Sequence, residues 1–243
     1  MIVENYKHEV ISALSSIFEK EESVLSRAGE MVADTLQQDG MLYAFGCGHS
    51  HMISEELFYR AGGLAAVCPI FETSTMLHEG AAKSSQIERM SGYAQHVIDR
   101  YPIHDGDCFL VASNSGINPF PIEMAQCAKI KGAKVIGISS SQYKEKPSRH
   151  KDGLHLPDVC DLSIDNHVPM GDATIEVCSD GSKAGPLSSM AILFIVDSIV
   201  LSACEQLRKR GIEPQVYHSG NCPGSDEYNA RLIQQFRPRI KHL

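Results

Sequence analysis

Met41-Leu42-Tyr43-Ala44-Phe45 followed by Gly46-Cys47-Gly48-His49-Ser50, and Phe109-Leu110-Val111-Ala112 followed by Ser113-Asn114-Ser115-Gly116-Ile117-Asn118, set out one plan twice. A short apolar run leads into a turn rich in glycine and serine, and a helical pattern follows: His51 to Tyr59 in the first case, Phe120 to Lys131 in the second. Glycine removes the Cβ that would hold an anion away from backbone N–H groups, and a helix start adds unpaired donors and partial positive charge. Serine and asparagine side chains complete the shell. Such turns also cap helices for purely structural reasons. Two in one chain favour a phosphorylated ligand, lined by Gly46, Gly48, His49, Ser50, Ser113, Asn114, Ser115, Gly116 and Asn118.

Working outward, Leu64 to Phe71, Lys134 to Ser139 and Asp161 to Asp165 are further apolar runs bounded by turn residues. With Met41 to Phe45 and Cys108 to Ser113 they make five predicted strands. Helical stretches between them, with Ile87, Met90, Tyr93 and Val97 on one face and Ile122, Ala125, Ala128 and Lys129 around another, supply the crossovers of a parallel sheet. Both turns then lie at carboxyl ends of strands, where open α/β sheets bind ligands. The first forty residues read as helical: Tyr6, Val10, Ile11, Leu14, Ile17 and Phe18 form one stripe, and Val24, Leu25, Ala28, Met31, Val32 and Leu36 another, with Gly40 as the stop. Pro186 to Arg210 reads as a helix apolar nearly all round between Met190 and Leu207, suited to the core or to a subunit interface. Ser140 to Pro157, with Lys144, Lys146, Arg149 and Lys151, reads as a charged loop or short helix. The expected fold is α/β, a three-layer αβα sandwich around a five-stranded parallel sheet. N-terminal helices occupy 1–40, the ligand-binding domain 41–210, and a tail 211–243 packs on that domain or on a partner subunit.

The formal charge of −8 argues against nucleic acid or an anionic membrane surface, because no basic stripe offsets phosphate repulsion over a wide face. A small anion needs only a local positive field. The eight cysteines are scattered, without a C-x-x-C pair and mostly within apolar runs, so they read as reduced thiols of a cytoplasmic protein. The start lacks the pattern of a secretion signal. Met190 to Leu201, the most apolar segment, is interrupted by Asp197 and Ser198 and reads as too short to span a membrane.

The order strand, G-x-G-x-S, strand, S-x-S-G-x-N resembles the sugar isomerase (SIS) domain over roughly Leu36 to Arg210. The resemblance implies a five-stranded parallel sheet flanked by helices and a phosphosugar ligand. It implies that Ser50, Ser113, Ser115 and Asn118, with Asn114 between, hold the phosphate. Gly46-Cys47-Gly48-His49-Ser50-His51 followed by Glu55-Glu56-Leu57 is similar to the phosphoheptose isomerases, whose motif runs G-N-G-G-S-H and then A-E-E-L. That likeness implies an acid-base pair of His51 with Glu55, four apart on one helical face, or with Glu56 if the register shifts. Some of those isomerases use zinc and place a glutamine and a histidine eight apart on the last long helix. Here that helix offers Ser188, Ser189 and Asp197 and no histidine. No metal and no cofactor is therefore expected, and a glutamate base is left to move the carbon-bound proton.

Ile175-Glu176-Val177 and Gly181-Ser182-Lys183-Ala184-Gly185 resemble in part the N-acetylmuramic acid 6-phosphate etherases, which adds Glu176 and Lys183 as phosphosugar contacts. SIS domains also act as non-catalytic sugar-phosphate sensors, so isomerase, etherase-like lyase and sensor all stand. An attached DNA-reading module is disfavoured, since Lys7, Lys20 and Arg27 are the only basic residues of the first forty. The family commonly pairs subunits, which implies a homodimer or homotetramer, with His218 or the segment around Asn221 reaching a partner's pocket. Glu72, His78, Glu79 and Glu88 follow the second strand, where a carboxylate can reach over the ligand; Glu79, beside Gly80, is preferred as a third candidate base with Glu55 and Glu56. Ser139, ahead of Ser140 and Ser141, ends the fourth strand at ligand level. Cys47, His49 and His51 lie in one loop without a partner cluster and read as turn residues rather than metal ligands.

Overall fold

The computed structural model describes every residue from Met1 to Leu243. Five strands, β1 (Leu42–Gly46), β2 (Val67–Pro69), β3 (Cys108–Ala112), β4 (Lys134–Ser139) and β5 (Leu162–Asp165), form one sheet in the order β2-β1-β3-β4-β5. Every pair is parallel. Period-two alternation divides the core between the two faces. Met41, Tyr43, Phe45, Phe109, Val111 and Val135 point into one cluster, completed by α4 (Tyr93–Ile98), α5 (Pro119–Ile130), α6 (Leu156–Val159) and α8 (Ser225–Phe236). Leu42, Ala44, Leu110, Ala112, Ile136, Ile138 and Ile164 point into the other, covered by α1 (Ile2–Gln37), α2 (Met52–Leu57) and α7 (Ser188–Lys209). This is the three-layer sandwich expected, with α1 and α7 packed along one another on the second face.

The differences from expectation have local causes. The two N-terminal stripes lie on one unbroken 36-residue helix, because Glu19-Lys20-Glu21-Glu22 between them are good helix formers without glycine or proline. The second stripe is used more fully: Leu25, Ala28 and Val32 are buried and Val24, Met31 and Leu36 half-buried, while of the first Ile17 is buried and Ile11 and Phe18 stay exposed. α1 ends with Asp39 in the left-handed region at φ +58°, and the Gly40 N–H bonds back to the Thr35 carbonyl at 2.8 Å. The second strand is cut to three residues, Val67–Pro69, and its last bond to β1 runs from the Ile70 N–H to the Ala44 carbonyl at 2.9 Å. The crossover after it divides into α3 (Ala81–Ile87) and α4 at Ser91-Gly92. Residues 173–186 form a hairpin of β6 (Ala173–Glu176) and β7 (Lys183–Pro186), which packs on the start of α1 through Tyr6, whose hydroxyl donates to the Pro186 carbonyl at 2.7 Å.

By length and composition alone, α7 is long and apolar enough to cross a membrane, which corrects the reading that its apolar run is too short. In this fold Ala191, Ile195, Val196, Ile199 and Ala203 place that apolar surface in the core. The tail is built into its own domain. Val216 bridges to Leu64 beside the β2 edge, Tyr217, Leu232, Phe236 and Ile240 enter the first cluster, and His218 stacks on Tyr228 with centroids 3.9 Å apart. Phe236→Ala should lower unfolding stability by about 3–5 kcal/mol, the usual range for emptying a buried aromatic site, as read by denaturant titration.

Candidate functional site

Because β1 and β3 are neighbours, with Gly46 opposite Ala112, the two glycine–serine turns start side by side at the carboxyl edge of the sheet. From β1 the chain crosses toward one edge and from β3 toward the other. The crevice at such a reversal is where open α/β sheets take their ligands.

The first turn folds tightly onto its strand. After Gly46 the chain makes one 3₁₀ turn over Gly48–His51, and a Cβ on residue 46 would collide with the Ser50 carbonyl. Ser54 Oγ donates to the Ala44 carbonyl at 2.7 Å and pins α2 to β1. His49 is exposed, and with Ser50 it lines a crevice against Ser188 and Ser189 at the start of α7. Cys47 is buried, and burial first, then the charge of Glu88, raises its thiol well above the ordinary range.

The second turn is tied to the next two strands. The Ser113 N–H donates to the Ile138 carbonyl at 3.0 Å, the Ser140 N–H to the Asn114 carbonyl at 2.8 Å, and Asn166 Nδ2 to Asn114 Oδ1 at 2.8 Å. Gly116 takes φ +61°, a conformation that favours glycine. Its carbonyl accepts from the Leu156 N–H at 2.8 Å, and that of Ile117 from the Arg149 N–H at 2.9 Å. The polar segment 140–157 therefore wraps this turn. Ser115, Ser139, Ser140 and Ser141 line a cavity of about 360 Å³ together with Tyr143, Lys144 and His155. The largest cleft, about 830 Å³, lies elsewhere, among Gln95, Glu123, Lys129 and His150, and holds none of the turn residues.

Asn118 sits at the N-cap of α5 but does not cap it. Its Nδ2 donates instead to Glu88 Oε1 at 2.8 Å, and its Oδ1 accepts from Arg149 at 2.9 Å. The first turn of α5 offers no free N–H, because Pro119 and Pro121 have none and the Phe120 N–H donates to the Glu88 carbonyl at 3.2 Å. Glu88 stands between the two turns, bonded to Asn118 of the second and acting by its charge on Cys47 of the first. Burial pushes its carboxyl above the ordinary range, with the Asn118 hydrogen bond and the charges of Arg89 and Arg149 partly opposing.

The other carboxylates are placed differently. Glu56 pairs with Arg60. Glu79, the preferred candidate from sequence, is exposed and bound by Lys83 at 2.6 Å, and that bond, with one from Thr73, holds its carboxyl below the ordinary range. A base for neutral pH needs the opposite shift, which Glu88 has. The signal was present in the sequence: Glu88 follows the same strand, one short helix later. Glu72 is buried and occupied by Ser74 at 2.6 Å, Tyr93 at 2.8 Å and Arg100 at 3.3 Å. Glu176 and Lys183 face each other across the β6–β7 hairpin, exposed and without a hydrogen bond to either turn.

Glu55 turns toward His51, with Oε1 at 3.1 Å from Nε2, and toward His78, with Nε2 at 3.9 Å. The zinc that the resemblance implies for some members has no ligand on α7. Two imidazoles and one carboxylate nevertheless converge at the first turn, with ligand atoms all within 4.8 Å of one another, and this donor set suits a divalent transition metal.

Residues 5–140 match the SIS domain family, and the chain belongs to it. Over its whole length it is 42% identical to a UPF0309 protein of Geobacillus thermodenitrificans, covering 98% of that protein. It is 38% identical to a UPF0309 protein of Brucella canis, covering 99%. Among solved structures, a phosphoheptose isomerase from Francisella tularensis superposes with a TM-score of 0.55 at 14% identity, over 84% of this chain and 96% of that one. The NanR protein of Vibrio vulnificus, complexed with ManNAc-6P, does so with 0.51 at 16% identity, over 97% of this chain and 70% of that one. At these identities the likeness is one of fold.

The raised carboxyl of Glu88 fixes the sign of a pH effect. Its native form holds the proton more tightly than the unfolded chain, so its contribution to stability is full below the ordinary glutamate range and is lost as pH rises through the raised value. Glu88→Gln, which stays neutral, should gain stability relative to the parent across that rise, as measured by melting temperature against pH.

Proposed function

We propose that this chain binds a phosphorylated sugar in the crevice between the β1 and β3 turns and interconverts its aldose and ketose forms. The observation that carries the reading is the pairing of two glycine–serine turns at the sheet's reversal point. The phosphate is received by Ser50, Ser113 and Ser115 and the backbone of the two turns. Glu88 is the base. It takes the carbon-bound proton from the carbon next to the carbonyl and returns it to the former carbonyl carbon, while a hydroxyl proton passes between the two oxygens. Its raised carboxyl suits proton transfer near neutral pH, and Asn118 and Arg149 fix its position. A divalent ion held by His51, Glu55 and His78 would polarise the sugar carbonyl.

The NanR structure, which shares this fold and holds ManNAc-6P, supports the substrate class. It equally supports the competing reading of a sensor that binds without turnover. Eight unpaired cysteines fit a cytoplasmic location. The exposed Val3, Ile11 and Phe18 of α1 offer an apolar stripe for a homodimer or homotetramer, which light scattering at micromolar concentration tests.

A thermal-shift screen of phosphosugars identifies the ligand. Ser50→Ala and Ser115→Ala should each weaken its binding by about 1.5–3 kcal/mol, the range for hydrogen bonds to a charged group. Unchanged affinity in both, with the fold intact, removes the phosphate assignment. Glu88→Gln should retain binding and lose turnover by roughly a hundredfold or more. A ligand bound by the parent but never converted makes the chain a sensor.

A further inference from the structure

Given the phosphosugar reading, on which this rests, we infer that the substrate carries a second sugar unit, received in the cavity of about 360 Å³ beside the second turn. The cavity exists because the last edge of the sheet is thinly covered. In β5, Leu162-Ser163-Ile164-Asp165, period-two alternation puts Leu162 and Ile164 in the core with α1 and α7, while Ser163 and Asp165 turn to the other face and stay half-buried. On that face α6 is only one turn long, Leu156–Val159, and the polar pair is left lining the cavity. Ser115 of the second turn and Ser139 at the end of β4 line it too, so it adjoins the place given to the phosphate.

The hydroxyls in the cavity are of two kinds. Ser140 is committed to the fold: its Oγ donates to the Val168 carbonyl at 2.5 Å and accepts from the Gln142 N–H at 3.3 Å. The side-chain hydroxyls of Ser115, Ser139, Ser141 and Ser163 are bonded to no other group of the chain, and Ser139 is only 5% exposed. A hydroxyl so enclosed is costly to leave unpaired, and each can both donate and accept. Lys144 adds an ammonium without a carboxylate partner. The carboxylates, by contrast, are occupied. Asp165 accepts from the Ser141 and His167 N–H groups at 3.0 and 2.8 Å, Glu21 lies 2.9 Å from His167 Nε2, and Asp158 accepts from the His155 N–H at 2.7 Å. Three carboxylates and no arginine make a second phosphate a poor occupant. Pro157 and Ile164 supply the only wholly apolar side chains, so an apolar group fits no better. What fits is a neutral group of adjoining hydroxyls, in a volume near the lower end of small-molecule sites, about 300–1,000 Å³. A sugar ring meets both conditions. Glu88 acts at the carbonyl end of the substrate, so a unit housed beside Ser115 is joined near the phosphate end, on the C4 hydroxyl of a hexose 6-phosphate.

The test is calorimetric titration of the full chain with inorganic phosphate, with glucose 6-phosphate, and with maltose and cellobiose each phosphorylated on C6 of the reducing glucose. One of the disaccharide phosphates should bind roughly tenfold or more tighter than glucose 6-phosphate, the worth of one or two added hydrogen bonds. Ser163→Ala and Lys144→Ala should each remove most of that gain and leave the affinity for glucose 6-phosphate as in the parent. Ser115→Ala should weaken every ligand. Lys144 is exposed, so its variant decides the matter should Ser163→Ala fail to fold. Disaccharide phosphates that bind no tighter than glucose 6-phosphate, or variants that weaken both kinds of ligand equally, overturn the second sugar unit and leave the phosphosugar reading standing. No binding of any of these ligands overturns the phosphosugar reading itself, and the second unit with it.

Discussion

A parallel sheet buried on both faces is the constraint from which the rest of this molecule follows. Its strands expose no solvated side, so Tyr43, Phe45 and Phe109 on one face and Leu42, Leu110 and Ile136 on the other must all be apolar and all be covered. Covering both requires helical crossovers, and these keep every strand pointing the same way. The turns that leave the strands are thereby gathered along one edge. The order β2-β1-β3-β4-β5 then divides them at the β1–β3 junction, and the two most glycine-rich turns stand at that division.

The two helix starts near the crevice are closed in different ways. At α7, the Asp172 carboxylate accepts from the N–H groups of Leu187 and Ser188 at 2.9 and 2.7 Å and from the Ser188 hydroxyl at 2.6 Å. That end is already neutralised by the chain itself. At α5 the residue in the capping position, Asn118, gives both ends of its amide to Glu88 and Arg149 instead. The first N–H groups of α5 are removed by Pro119 and Pro121 or taken by the Glu88 carbonyl, and the Asn118 amide holds the Glu88 carboxylate in place.

The sheet was legible because each strand is an apolar run bounded by turn residues, a signal that depends on nothing distant. Lys134–Ser139 matches residue for residue. The hairpin of 173–186 was not, since its strands are four residues each, none of them fully buried, and rest on Tyr6, far away in the chain. The tail was expected to pack on the domain or on a partner subunit, but its helix α8 and the core places of Leu232 and Phe236 were not legible. At the site, the backbone turns could be read from glycine and serine alone. The choice among Glu55, Glu56, Glu79 and Glu88 could not, because it turns on which carboxylate meets Arg60, Lys83 or Asn118, and these are facts of packing.

The pairing of α1 with α7 also governs the order in which the chain can be finished. The first helix synthesised rests on the last long one, with nearly the whole sheet between them in sequence. While the strands emerge, one face of the growing sheet has only α1 and α2 to cover it, and Ile195, Val196 and Ile199 are still to come. Contacts this remote in sequence are slow to form and leave apolar surface open in the meantime. Folding on the ribosome therefore cannot close this layer until α7 has been made, and the nascent chain carries an adhesive face through most of its synthesis.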